Sequence, residues 1–386
     1  MKRNILVLNL AAAFIWMSMY SYVPTLPSYA MTLGANAVMI GVIGGAYGIM
    51  QIFLRIPLGI LSDKTGKDKL ILTIGFVILT ISAFMFVFLK SPIWIVVARG
   101  VAGAAAAWWV IISASYAKYN SEENQIKAQG VLSASANIGK FVAAALGGVV
   151  AQLFGLSAPF IVAVVAAIIG LFAVLQFKTP KDAKKFEPPT AKQLVSLLKN
   201  KHLILFSCLA IFSQLLCFAL PSMFTAVAAQ NIGANSFEMG MLMMVYFLIT
   251  GISSLFVGTK LYRKIGGIKT LTIAFIIGAF SCIPAFYTMN MGMIYLMQAL
   301  SGVCYGISCS ALSGFVIKCV HPSQRSTATG IFQSLFAIGI FAGPVLAGAL
   351  IDYVSFDAAY YAMLAASLLA AILSYTLIPK KYDKMQ

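Results

Sequence analysis

Lys140 is the residue with the most chemistry to offer, because it lies about twelve residues into an apolar run of some twenty-six and so near the middle of any membrane that run would cross. The ten carboxylates are Asp63, Asp68, Glu122, Glu123, Asp182, Glu187, Glu238, Asp352, Asp357 and Asp383, and all fall in loops or near the ends of apolar runs. None is a neighbour of Lys140 in sequence. An unpaired ammonium in hydrocarbon costs several kcal/mol or gives up its proton, so Lys140 is expected to line an aqueous cavity. An anionic or zwitterionic solute would supply the missing countercharge, and the amine could itself shuttle a proton. The other reading has the ammonium satisfied by backbone carbonyls and helix ends. Arg99 sits about six residues inside another apolar run and must face protein or water, unless it snorkels to the nearby helix end.

Aromatic and amide side chains at mid-run would furnish such a cavity with flat contact area and polar handles: Trp16, Tyr20, Tyr47, Gln51 and Trp109 in the first half, Gln214, Tyr246, Tyr305 and Gln333 in the second. Each alone fits packing as well as lining. Catalysis has little support. The two histidines, His202 and His321, fall at the ends of apolar runs, away from any metal-ligand spacing with the six cysteines, and no glycine-rich phosphate loop ends in Gly-Lys-Ser or Gly-Lys-Thr. No catalytic residue, metal site or cofactor is therefore assigned.

The elements that must position these side chains are membrane helices. The chain is 61% hydrophobic and 10% charged, against about 25% charged in soluble proteins. Twelve apolar runs of spanning length can be laid out: 5–31, 39–61, 70–89, 93–116, 128–153 and 159–177, then 203–229, 237–258, 270–289, 292–317, 328–353 and 358–378. The first is too long for the core of a secretory signal. The net charge of +17 lies in alternate loops, from Lys2 and Arg3 through Lys64, Lys67 and Lys69 to the 178–201 stretch, and on to Lys380 and Lys381. Lys90 lies opposite. The positive-inside rule places both termini in the cytoplasm and the chain in the cytoplasmic membrane, and the cations face anionic lipid rather than nucleic acid. The organisation expected is a six-helix bundle over 1–177, a cytoplasmic linker over 178–202 and a second six-helix bundle over 203–386. Within the linker, Leu194, Leu197 and Leu198 share one face of a short amphipathic helix expected to lie on the membrane surface.

The two halves are related in sequence. Gly34-Ala35-Asn36 recurs as Gly233-Ala234-Asn235, Gly41 as Gly240, Tyr47 as Tyr246 and Gly59 as Gly258, each 199 residues on, while Gly130, Gly139 and Gly148 recur 200 residues on as Gly330, Gly339 and Gly348. Two similar membrane halves suggest a transporter, because opposed bundles can rock about a shared central cavity. Tyr47 and Tyr246 then sit at matching depths and rank first among the lining candidates.

Between the second and third runs stands Gly59-Ile60-Leu61-Ser62-Asp63-Lys64-Thr65-Gly66-Lys67, which resembles the signature loop of the major facilitator superfamily at each defined position. The following residue, commonly basic in that family, is Asp68. Gly59 would allow close backbone approach, and Gly66 would take a positive φ. The resemblance casts Asp63 and Lys67 as gating residues that latch one state. Arg99 followed by Gly103 and Ala104–Ala107 is similar to a second family pattern, with Ala102 in place of its glutamine. A third pattern, the antiporter glycine-proline motif, keeps Gly139, Gly147 and Gly148 in the fifth run but lacks the central pair, whereas the eleventh run holds Gly339, Gly343-Pro344 and Gly348. These glycines point to tight helix packing. The resemblance implies an all-α integral membrane protein with twelve transmembrane helices in two pseudo-symmetric bundles. It further implies a monomeric secondary transporter moving a small-molecule substrate by alternating access, with proton-coupled efflux ahead of organic-anion uptake or exchange through a positively charged cavity.

Overall fold

The computed structural model describes residues 2–117, 119, 125–178, 191–257, 259–321 and 324–383, and among them the chain is almost wholly helical. The helices are α1 (Lys2–Tyr20), α2 (Leu26–Thr32), α3 (Ala37–Thr65), α4 (Asp68–Phe88), α5 (Pro92–Ala107), α6 (Trp109–Ala117), α7 (Gln125–Phe154), α8 (Pro159–Leu175) and α9 (Ala191–Leu198). After them come α10 (Lys201–Ala219), α11 (Thr225–Asn231), α12 (Ser236–Phe256), α13 (Lys260–Ile265), α14 (Gly267–Phe280), α15 (Met291–Lys318), α16 (Arg325–Tyr353) and α17 (Phe356–Leu377).

Ten helices among the described residues are long and apolar enough to cross a membrane, and α8 and α14 are shorter apolar helices. Twelve runs of spanning length were expected, and α8 and α14 fall short of that length. The 17 residues of α8 rise about 26 Å, under the roughly 30 Å of a hydrocarbon core. In α14 the cause is local: Ile283 precedes Pro284 and is extended, at φ −74° and ψ 116°, as the residue before proline prefers. The helix has already stopped at Phe280, and a 3₁₀ turn follows over Pro284–Tyr287.

The repeat has a structural cause. Gly34 and Gly233 adopt φ of 85° and 93°, conformations that need glycine, and two residues on Asn36 and Asn235 cap α3 and α12. Asn36 Oδ1 accepts from the Met39 amide at 3.0 Å, and Asn235 Oδ1 from the Glu238 amide at 3.0 Å. The same words start the same helix in each half. Gly258 lies outside the described residues.

Contacts between the halves follow the same symmetry. α3 packs along α16 and α7 along α12. A Cβ built on Gly148 would meet the Gly240 Cα at 2.8 Å, and one on Gly348 would meet the Gly41 Cα at 3.2 Å and overlap the Ala37 carbonyl. Small residues let backbones meet at these crossings, where van der Waals packing must replace the hydrophobic effect. Pro344, inside α16, fits against Gly41 and Gly44. Gly139 lies on the Ala13 carbonyl, Gly147 on that of Ser21, Gly339 on that of Ile211 and Gly343 on that of Leu215. Gly59 is different: a Cβ there would meet only Val110 Cγ1, at 3.7 Å, so no close backbone approach depends on it.

These crossings lie near the end of the bundle opposite most cations. At this cation-poor end Asp352 accepts from the Ala37 and Val38 amides at 3.2 and 2.8 Å, Ser28 Oγ donates to Gln230 Oε1 at 2.7 Å, and the Ser236 amide donates to Gln152 Oε1 at 3.1 Å. Residues 20–30 and 216–226 are all buried, with Tyr22, Val23 and Leu26 at 2% exposure or less. The halves are sealed together there. At the cation-rich end, α9 packs against α10 and α16. Leu197 is buried and Leu198 is 50% exposed, so the apolar face of α9 is split between the protein and its surface instead of lying wholly on lipid.

Candidate functional site

The site lies between the halves at mid-depth, where α1, α6, α7 and α12 meet. One turn of α1 separates Trp16 from Tyr20, which places both rings on one face, and their centroids are 5.8 Å apart. Trp109, at the start of α6, sets its ring edge-on to Trp16 at 5.7 Å. The Lys140 Nζ lies over the Trp16 ring at 4.3 Å, the Tyr20 ring at 5.4 Å and the Phe247 ring at 6.0 Å. Phe247 comes from α12 in the other half, and packs edge-on to Tyr20 at 5.1 Å. Lys140 therefore points into the protein between the halves and away from lipid. Its ammonium touches π faces, and among the described residues it has no carboxylate partner.

A second cluster bridges the halves beside the first. Gln51, on α3, donates from Nε2 to the Tyr47 carbonyl at 2.8 Å and accepts at Oε1 from Arg55 Nη2. Arg55 Nη1 reaches across to Gln333 on α16, donating to its carbonyl at 3.1 Å and its Oε1 at 3.3 Å, and the guanidinium lies 5.1 Å from the Phe336 ring centroid. A third cluster belongs to the second half alone. Tyr246 shares a hydrogen bond with Cys217 Sγ at 2.8 Å and stacks on Tyr305 at 6.1 Å, while Gln214 Nε2 donates to the Tyr305 hydroxyl at 3.3 Å.

Arg99 is set apart from these. It is 1% exposed, donates to the Tyr22 hydroxyl at 3.3 Å, and lies over the Tyr22 and Tyr47 rings at 5.7 and 4.3 Å. It neither snorkels nor lines open space. It supports the floor from below, through Tyr47, which itself stacks on Phe218 of the second half at 5.8 Å.

Exposure gives the site a direction. Tyr20, Tyr47, Gln51, Arg55, Gln214, Tyr246 and Phe247 are buried, whereas Trp16, Trp109, Lys140, Tyr305 and Gln333 are half-buried. On α1 the half-buried Trp16 lies nearer the cation-rich end than the buried Tyr20, so the floor faces the sealed end and the walls open the other way.

Among the signature-loop residues, Gly66 caps α3 at φ 60° and its amide donates to the Ser62 carbonyl. Lys67 is exposed. The Asp63 side chain lies outside the described residues. The acid whose place is clear is Asp68, 1% exposed at the start of α4, where it accepts from Ser62 Oγ at 2.8 Å and faces the positive helix end.

Arg55, Phe247 and Phe336 were not singled out by sequence. Arg55 carried a legible signal, a formal charge inside the 39–61 apolar run one helical turn after Gln51. The two phenylalanines carried none, since nothing local distinguishes them from the other 25 of 27.

A family model described as Major Facilitator Superfamily matches residues 8–227 and 203–386. An uncharacterized MFS-type transporter of Methanocaldococcus jannaschii is 24% identical over 98% of this chain and 99% of its own length. The proton-coupled antiporter flippase LtaA of Staphylococcus haemolyticus is 25% identical over 87% of this chain and 83% of its own. The crystal structure of the nucleoside transporter NupG superposes with a TM-score of 0.75 at 19% identity, covering 97% of this chain and all of that one.

Proposed function

The chain belongs to the Major Facilitator Superfamily, a multi-pass membrane transporter, and from that premise we propose that it exports a small organic anion by alternating access in exchange for protons. The observation that carries the charge of the cargo is that Lys140, Arg55 and Arg99 sit in or under the inter-half site with no carboxylate partner among the described residues. Cations so placed repel a cationic solute and need a counterion from the cargo. Each half contributes to the site, so the 1–177 and 203–386 bundles act as the two rocking bodies, joined by the 178–202 linker. By the positive-inside rule the cation-rich end is cytoplasmic, which puts both termini inside and opens the site to the cytoplasm.

Export is supported in two ways. An interior-negative potential favours an anion leaving by about 2.3 kcal/mol per charge per 100 mV, and the LtaA relative is a proton-coupled antiporter. Lys140 is the group assigned to hold the anion, as an ammonium. Organic-anion uptake or exchange through the same site is the second reading, favoured by the same three cations.

The test uses proteoliposomes and radiolabelled 2-naphthalenesulfonate, whose charge is fixed. Transport out of the cation-rich compartment that accelerates when protons are supplied on the other side is the expected result. Equal flux in both directions without a pH effect would favour exchange, and flux of a planar cation instead of the sulfonate would overturn the anion reading.

A further inference from the structure

Aromatic cages in proteins commonly receive the cation of a ligand, yet here the cation is the chain's own Lys140, over Trp16, Tyr20 and Phe247 at 4.3, 5.4 and 6.0 Å. A second donor stands beside it: Trp16 Nε1 is buried and has no hydrogen-bond partner among the described residues. The cage thus holds two donors side by side, an ammonium and an indole N–H, with ring faces as the ammonium's partners. A charge-assisted hydrogen bond to an acidic oxygen is stronger than a contact with a π face, so an anion entering from the half-exposed side would draw the ammonium off the rings.

We infer that Lys140 is a displaceable internal occupant of this cage, and that the cargo is a flat, largely apolar organic anion which replaces it. The acidic oxygens accept from Lys140 and Trp16 Nε1, while the planar part of the same molecule takes the ring faces that the ammonium leaves. The inference rests on the anion-carrier reading and narrows it. A small hydrophilic anion cannot refill the cage and leaves the rings facing water. A planar cation fits the rings but must compete with a tethered ammonium in the same place. Phe247 belongs to the second half and Lys140, Trp16 and Tyr20 to the first, so a molecule that fills the cage touches both moving bodies at once.

Equilibrium binding to the purified protein, with three probes of fixed charge, tests this: 2-naphthalenesulfonate, methanesulfonate and N-methylquinolinium. The parent is expected to bind the naphthalene compound at least about ten-fold tighter than methanesulfonate and to bind the quinolinium weakly, because stacking area is the difference between the two anions. Lys140→Met should lose about ten-fold or more in naphthalenesulfonate affinity and gain quinolinium binding, since the cage is then free for an outside cation; such a gain does not arise from misfolding. Phe247→Leu, which keeps the lysine, should weaken naphthalenesulfonate about three- to ten-fold and leave methanesulfonate unchanged. Equal affinities for the two sulfonates, or a Lys140→Met variant that neither loses the anion nor gains the cation, would overturn the cage inference while leaving anion transport standing. A parent that binds quinolinium and neither sulfonate would overturn both.

Discussion

Arg99 and Gln298 stand 199 residues apart in the chain and occupy related places in the two halves. Arg99 donates to Tyr22 at 3.3 Å, and Gln298 donates at 3.3 Å to the carbonyl of Pro221, which is 199 residues after Tyr22. The glycines beside them agree as well. Gly103 lies against the Tyr47 carbonyl, and Gly302 against that of Tyr246. The backbone plan is thus held in common, and the charge is not. Lys140 answers to Ile340 at the 200-residue offset, and Arg55 to Ser254 at 199. On the function proposed, symmetric packing would let two bodies rock and asymmetric charge would let one of them choose what is carried.

The largest effect should come from breaking what the halves share. Gly148→Val puts its side chain into the Gly240 backbone, and Gly348→Val into the Ala37 carbonyl, the two repeat-related crossings between the halves. Both should lose about 3 kcal/mol or more of stability through overpacking, read as loss of monodisperse folded protein on gel filtration. If only one of the pair suffers, the two crossings are not equivalent. Next comes Arg55→Gln, which removes the buried bridge to Gln333 and should cost about 2 kcal/mol in thermal unfolding, against about 0.5 kcal/mol for Ser254→Ala at the related position.

Arg99→Gln copies the second half into the first. It should leave the fold intact and weaken 2-naphthalenesulfonate binding about three- to five-fold, close to 1 kcal/mol of lost attraction across the protein, with no change for an uncharged solute. The smallest effect is expected of Asp352→Asn, which weakens the cap on α3 at the sealed end by about 0.5 kcal/mol. A slightly faster return to the sealed state would contradict the role given to that contact.

Much of this could be read from the chain because the repeat is enforced locally. Gly34 and Gly233 recur since each turn needs a positive φ, and Asn36 and Asn235 recur since each following helix needs a cap. Lys140 could be found because a charge in an apolar run must have a reason. Arg55 had the same signal but stands among apolar neighbours between Gln51 and Pro57, where helix continuity dominates the pattern. The cage could not be read at all. Trp16 and Tyr20 share a helix face, but their meeting with Phe247 joins residues more than two hundred positions apart, and only the docking of α7 on α12 brings them together. Gly59 shows the reverse, a motif position whose expected tight contact is absent where the helices actually pass.

The most direct test of a positively charged site that rocks between two faces is a pair of spin-label distances across the halves, one between residues 64 and 325 at the cation-rich end and one between 154 and 353 at the cation-poor end. Saturating 2-naphthalenesulfonate should shift the two distance distributions in opposite directions, with the 64–325 pair closing as the 154–353 pair opens, and Lys140→Met should abolish the shift. Both pairs moving in the same direction, or responding to N-methylquinolinium and not to the sulfonate, would contradict the account.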